Sequence, residues 1–322
     1  MLTPQDLHGV MGMMPSFATP DAGDLNSTAT IDVDNMQAGI DKMIKDGINV
    51  ITTTGSFGEC YNLFFDEWKT LAVAALEATN KRVPLMIGTT SANPREVVQR
   101  MKFLKEIGAD GTLLGVPYYD EQSQQYIGEF YTQIADMFPE LGIMIYHNPP
   151  NHKVHIAVNT FKKIVESPNI IGMKDSHHET RQFIQLQKIV KDKISIFVNQ
   201  GQYFPFARLG AAGCWSIDAW LGPWPVLHLR NLMERGEDEA AVALIGEIMG
   251  DGGGGRPDPS EGNAGFLGHE LAGYVNPGPT RTPILKQTDA LRERTQKRVD
   301  RWKALCDKYR PLVEAEQQVV AV

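Results

Sequence analysis

The sequence predicts an α/β fold, a closed (β/α)8 barrel of the TIM type followed by a C-terminal helical extension. Two observations point there. Between Val10 and about Arg235, short apolar runs alternate with longer amphipathic stretches, the rhythm of βα units. Beyond Arg235 the runs give way to helical patterns alone. The 322 residues leave one or two domains open by length, since such a barrel commonly occupies about 250 residues as one unit. The expected division is a barrel over 1–235 carrying the site and a helical extension over 236–322 packed on it.

Eight runs read as strands: Val10 to Met14, Val50 to Thr54, Leu85 to Gly88, Gly111 to Val116, Gly142 to Tyr146, Ile170 to Lys174, Ile194 to Val198 and Gly213 to Ile217. Between them, Trp68, Leu71, Ala72, Ala75, Leu76 and Thr79 repeat at helical spacing and define one apolar face. Asn93-Pro94-Arg95-Glu96 reads as an N-cap followed by proline at the first helical position, opening a helix through Ile107. An open doubly wound sheet shares this local pattern. Eight strands alternating with helices over about 210 residues fit the closed barrel better, and with no G-x-G-x-x-G after the first run and no G-x-x-x-x-G-K-[ST], neither a dinucleotide nor an NTP is implied by motif. Helices are then expected over Glu237 to Met249, over Phe266 to Tyr274 after a loop holding Gly252 to Gly255, and from about Thr288. In the last, Val299, Trp302, Leu305, Cys306 and Tyr309 form the apolar stripe.

Composition narrows the function. With 31 Lys+Arg against 39 Asp+Glu, a net charge of −8 does not suit a nucleic-acid or anionic-membrane partner. Cys60, Cys214 and Cys306 are too few and too scattered for a disulfide framework or a C-x-x-C zinc site, which fits a cytoplasmic setting. The N-terminus lacks a signal-peptide layout, and no apolar run approaches the roughly 20 residues that span a bilayer. In His177-His178-Glu179, neighbouring histidines point different ways and no third ligand is suitably spaced, so neither a metal nor a cofactor is expected.

In a barrel the active site lies at the strand C-termini. Tyr146 ends the fifth run and Lys174 the sixth. A lysine placed there can serve as a Schiff-base nucleophile, because only the neutral amine attacks a carbonyl. At an ordinary pKa of about 10.4, roughly one lysine in a thousand is neutral near pH 7.4, and burial raises that fraction. Taken alone, Lys174 reads first as an ion-pair partner of Asp175 or another acid, and Tyr146 equally well as an aromatic closing the core. Tyr146 is otherwise the natural proton carrier for imine chemistry. After the second run, Gly55-Ser56-Phe57-Gly58-Glu59 offers a tight loop with backbone N–H groups for a carboxylate.

Taken together, G-[ST]-x-G-E, Val116-Pro117-Tyr118-Tyr119, Tyr-x-x-Pro at Tyr146 and Gly-x-Lys at Gly172 resemble the dihydrodipicolinate synthase and N-acetylneuraminate lyase superfamily. The resemblance runs from about Leu7 to Met249. It implies a class I aldolase acting on pyruvate or another 2-oxo acid, with Lys174 forming the imine, Tyr146 moving protons, and Gly55, Ser56 and Phe57 holding the carboxylate. It also implies a homotetramer, with Tyr118 or Tyr119 lining the site or a subunit contact. Phe57 stands where the superfamily has a second hydroxyl residue, and Pro150-Asn151-His152-Lys153 lacks the arginine of the lysine-biosynthetic enzymes.

Gly-Ser-Phe-Gly-Glu-Cys, Gly88-Thr89-Thr90, Tyr146-His147-Asn148-Pro149, Cys214-Trp215-Ser216 and the long tail look instead like the hydratase-aldolases of naphthalene and phenanthrene breakdown. These act on ortho-substituted benzylidenepyruvates and release an aromatic aldehyde and pyruvate. The resemblance implies that Asn148 orients water or substrate, that Trp215 walls the aromatic ring, and that Asn263 contacts the ortho group. A cation among His147, His152 and Lys153, if it reaches the pocket, would favour an ortho-carboxylate over an ortho-hydroxyl. The competing readings are a Schiff-base aldolase for an aliphatic 2-oxo acid and a barrel that binds such an acid without turnover.

Overall fold

The computed structural model describes residues 1–250, 264–281 and 287–320. The eight strands are β1 (Gly9–Met13), β2 (Val50–Thr52), β3 (Leu85–Gly88), β4 (Gly111–Leu114), β5 (Gly142–Tyr146), β6 (Ile170–Lys174), β7 (Ser195–Asn199) and β8 (Gly213–Ser216). All pair in parallel, and β1 closes on β8, giving the closed barrel that the alternation predicts. β3, β5 and β6 have the predicted bounds. β1, β2, β4 and β8 end one or two residues early where the chain leaves the ladder for the site loops, as β2 does after Thr52, whereas β7 is shifted one residue later than expected.

Two apolar layers hold the barrel. Its interior is filled by Leu7, Met11, Met13, Val50, Met86, Leu113, Met144, Tyr146, Ile171 and Phe197. The outward strand faces pack on the helical ring, in which the Phe65–Thr79 helix buries Trp68, Leu71, Ala72 and Ala75 as its periodicity requires. Asn93 caps the Pro94–Glu106 helix, its side-chain oxygen accepting from Arg95 N at 3.0 Å.

Of the C-terminal helices, Asp289–Val320 buries Val299, Trp302, Leu305, Cys306 and Tyr309 in the same core as the Trp224–Arg235 helix. Trp302 Nε1 donates to the Gly222 carbonyl at 3.0 Å. The helix expected over Phe266 to Tyr274 runs over Ala264–Ala272. The Gly252 to Gly255 loop and Asn263 lie outside the described residues. Among the described residues no helix is long and apolar enough to cross a membrane, and the three cysteines are free and buried.

Candidate active site

Alternation along a strand sends every second side chain inward. On β6 that face carries Gly172 and Lys174, and on β5 it carries Met144 and Tyr146. Glycine at 172 is a packing requirement: an added Cβ would fall 2.9 Å from Leu7 and 3.0 Å from Met144. Tyr146 and Lys174 are register partners, so phenol and amine crown the interior side by side.

Lys174 is 4% exposed. Its Nζ donates to Ser176 Oγ at 3.3 Å and lies 4.0 Å over the Trp215 ring and 5.2 Å over the Tyr146 ring. Burial pulls its pKa from about 10.5 down to about 7, against a smaller upward pull from Asp175. The amine is therefore substantially neutral near pH 7. Asp175 turns its carboxylate onto His147 and His178, which sets aside a simple Lys174–Asp175 ion pair.

The Tyr146 hydroxyl donates to Ser56 Oγ at 3.2 Å and accepts from Asn148 Nδ2 at 3.0 Å and Ser56 N at 3.4 Å. Ser56 Oγ also accepts from Asn151 Nδ2 at 2.9 Å and Asn148 Nδ2 at 3.2 Å. Burial pushes the phenol pKa up, so Tyr146 carries a proton and can pass it on. Gly55 lets the loop come this close, since a Cβ there would stand 3.1 Å from Met13 Cε and 3.6 Å from the Tyr146 hydroxyl.

Thr54 and Glu59, at φ 44° and 51°, bracket the loop in the left-handed region, and both are tied down. Thr54 Oγ1 donates to the Gly88 carbonyl at 2.9 Å. Glu59 is held by Ser16 and by Arg281, whose Nη1 lies 2.9 Å from its carboxylate. Arg281 was not foreseen from the sequence, where nothing local marks it.

Beside this group opens a cavity of about 590 Å³, lined by polar Ser56 and Asn151 and by the rings of Phe57, Tyr118, His152 and Phe266. Phe57 stacks on Phe266, with ring centres 5.0 Å apart and planes 14° apart, so the C-terminal extension builds part of the wall. Tyr118 lines this cavity. Tyr119, expected as a substrate contact, is 76% exposed, and its carbonyl accepts from Lys153 Nζ at 2.6 Å. Of the three candidate cations, only His152 reaches the cavity. Burial, and then the field of Lys174, lower its pKa to about 4, so it enters uncharged.

His147, by contrast, is buried behind β5 and β6. His147, His155 and His178 bring ligand-type nitrogens within 4.8 Å of one another, a grouping that spacing along the chain concealed. The Ile156 N–H donates to His147 Nε2 at 3.2 Å, and the Ile156 carbonyl faces His178 Nε2 at 3.0 Å, so these nitrogens are engaged by backbone.

The model of the dihydrodipicolinate synthetase family matches residues 11–250. The chain belongs to this family of lyases. Within the family, it is 30% identical to a trans-O-hydroxybenzylidenepyruvate hydratase-aldolase of Pseudomonas aeruginosa, over 96% of each chain. It is 24% identical to a trans-2'-carboxybenzalpyruvate hydratase-aldolase of Nocardioides sp., again over 96% of each. A solved structure described as PhdJ bound to substrate intermediate superimposes with a TM-score of 0.89 at 27% identity, covering 96% of this chain and 99% of that one. These relatives support a hydratase-aldolase type of reaction, and the match in length extends the likeness through the C-terminal helices.

Proposed function

We propose that this enzyme is a Schiff-base hydratase-aldolase that converts an ortho-substituted trans-benzylidenepyruvate into an aromatic aldehyde and pyruvate during breakdown of polycyclic aromatic compounds. The observation that carries the reading is the buried Lys174, with its pKa near 7, paired across β5 and β6 with Tyr146 and set beside an aromatic-walled cavity.

The neutral Lys174 amine attacks C2 of the 2-oxo acid, and the carbinolamine loses water to give an imine. Tyr146 supplies and recovers the proton on the departing oxygen, with Ser56 and Asn148 holding its hydroxyl. The protonated imine draws electrons from the conjugated alkene, so water adds at C4 and a proton at C3. Loss of the C4 hydroxyl proton then breaks C3–C4, releasing the aldehyde and leaving an enamine. Protonation at C3 and hydrolysis free pyruvate and restore Lys174. The Gly55–Phe57 loop receives the pyruvate carboxylate, Trp215 and Phe57 flank the ring, and Asn263 keeps its proposed contact with the ortho group.

An uncharged His152 in the cavity offers hydrogen bonding rather than a cation, which supports an ortho-hydroxyl over an ortho-carboxylate substrate. Loss of the benzylidenepyruvate absorbance with matching pyruvate release tests the reaction, and kcat/KM for the two substrates tests the preference. No turnover of either contradicts the first, and a higher kcat/KM for the carboxylate contradicts the second. We also propose a homotetramer, with the exposed Tyr119 in a subunit contact rather than in its own site.

A further inference from the structure

One side chain of the C-terminal extension touches two separate walls of the site. His269, on the Ala264–Ala272 helix, is fully buried. Its Nε2 faces the Ile217 carbonyl at 3.0 Å, and its Nδ1 faces the Gly265 carbonyl at 2.6 Å, one turn back on its own helix. Its ring packs on Phe57, with centres 4.9 Å apart, beside the Phe57–Phe266 stack. Phe57 belongs to the loop after β2. Ile217 directly follows β8 and packs against the barrel interior together with Trp215. β1 lies between β2 and β8 in the barrel, so no ladder joins these two strands directly. His269 links the segments that follow them.

The strand end that carries Trp215 is braced from the same extension. Arg298, on the Asp289–Val320 helix, pairs with Asp218, which also accepts from Gln200 Nε2 at 2.8 Å. The indole's own bond, to the Asp175 carbonyl, is long at 3.3 Å. The place of the Trp215 ring therefore depends on the backbone just beyond it. A slot for a flat ring needs walls at a fixed spacing, because a gap of about 0.5–1 Å already forfeits a quarter to a half of the dispersion contact.

We propose that His269 is a positioning residue for the aromatic end of the substrate: its ring on Phe57 and its Nε2 at the Ile217 carbonyl fix the spacing of the two walls, Phe57 and Trp215, that flank the substrate ring. This rests on the reading of the enzyme as one that takes a benzylidenepyruvate. The pyruvate end is held by other contacts, those of Tyr146 with Ser56 and Asn148. Loss of His269 should therefore act on the ring and spare pyruvate.

The test reads three quantities in wild type and variants: kcat/KM for trans-o-hydroxybenzylidenepyruvate, the pyruvate concentration giving half-maximal borohydride adduct on Lys174, and Kd for trans-o-hydroxycinnamate, an aromatic acid without the ketone that an imine needs. His269→Leu should lower kcat/KM about tenfold, mainly through KM, and raise Kd by a similar factor, with the pyruvate value within about twofold of wild type. His269→Gln, whose amide can reach the Ile217 carbonyl, should stay within about threefold of wild type, while the shorter His269→Asn should resemble His269→Leu. A merely structural His269 would lower yield or melting temperature without separating the aromatic readings from the pyruvate one. Aromatic readings unchanged in folded His269→Leu overturn the proposal, and so does an equal loss of pyruvate trapping. If His269→Leu does not fold, His269→Asn against His269→Gln decides, and equal values for the two overturn it. A wild type that turns over no benzylidenepyruvate removes the reading of the reaction alone. The cinnamate Kd then decides for His269: weaker binding by the variants supports the slot, and equal binding, or none by wild type, overturns it.

Discussion

The Nζ of Lys174 lies 4.0 Å from the centre of the Trp215 ring, and Trp215 Nε1 donates to the carbonyl of Asp175 at 3.3 Å. The indole acts on the amine in two opposing ways. Its face attracts the ammonium by about 0.5–2 kcal/mol, while its bulk keeps water away and disfavours the charge. Burial is the largest cause of the lowered Lys174 pKa, and the Trp215 ring is part of what covers the amine. Trp215→Ala should therefore raise the acidic limb of kcat/KM and cost about tenfold at pH 7. A limb shifted downward would show that the cation–π contact dominates.

Burying Lys174 also costs stability. Its folded pKa of about 7 lies below the unfolded value of about 10.4, so between those pH values the unfolded chain binds a proton that the folded chain lacks. Stability is full above about pH 10.4, falls as pH drops through this window, and levels off below about 7. Lys174→Met should melt higher than wild type at pH 7, with the gap narrowing toward pH 10. Thermal melts across that range check this, and a pH-independent gap would contradict it.

Arg281 and Glu59, both buried, tie the segment after the Ala264–Ala272 helix to the Ser56 loop. Removing the cation strands a buried carboxylate, so Arg281→Met should lower stability by about 3–5 kcal/mol. Adding Glu59→Gln should recover part of that loss. Equilibrium denaturation of the two variants decides, and additive losses would show that the pair is not coupled.

The Lys174–Tyr146 pair was legible because its determinants are local. A period of two and a strand end place Lys174 and Tyr146 without tertiary information, as does the glycine at 172. Partners fixed by tertiary packing were not. Arg281 reaches Glu59 across 222 residues, and Phe266 meets Phe57 from beyond the barrel. Neither has a periodic signal. Tyr118 and Tyr119 sit in a loop, where no repeat tells inward from outward. His147 stood next to Tyr146 in the sequence but points to Asp175, away from the cavity.

Imine formation between Lys174 and the 2-oxo acid is the step on which the proposed reaction depends. Borohydride reduction of the intact protein with pyruvate, followed by peptide mapping, tests it most directly. The expected result is a single adduct, on Lys174, that depends on pyruvate and is absent in Lys174→Ala. An unmodified Lys174, under conditions that trap a known imine-forming aldolase, would contradict it.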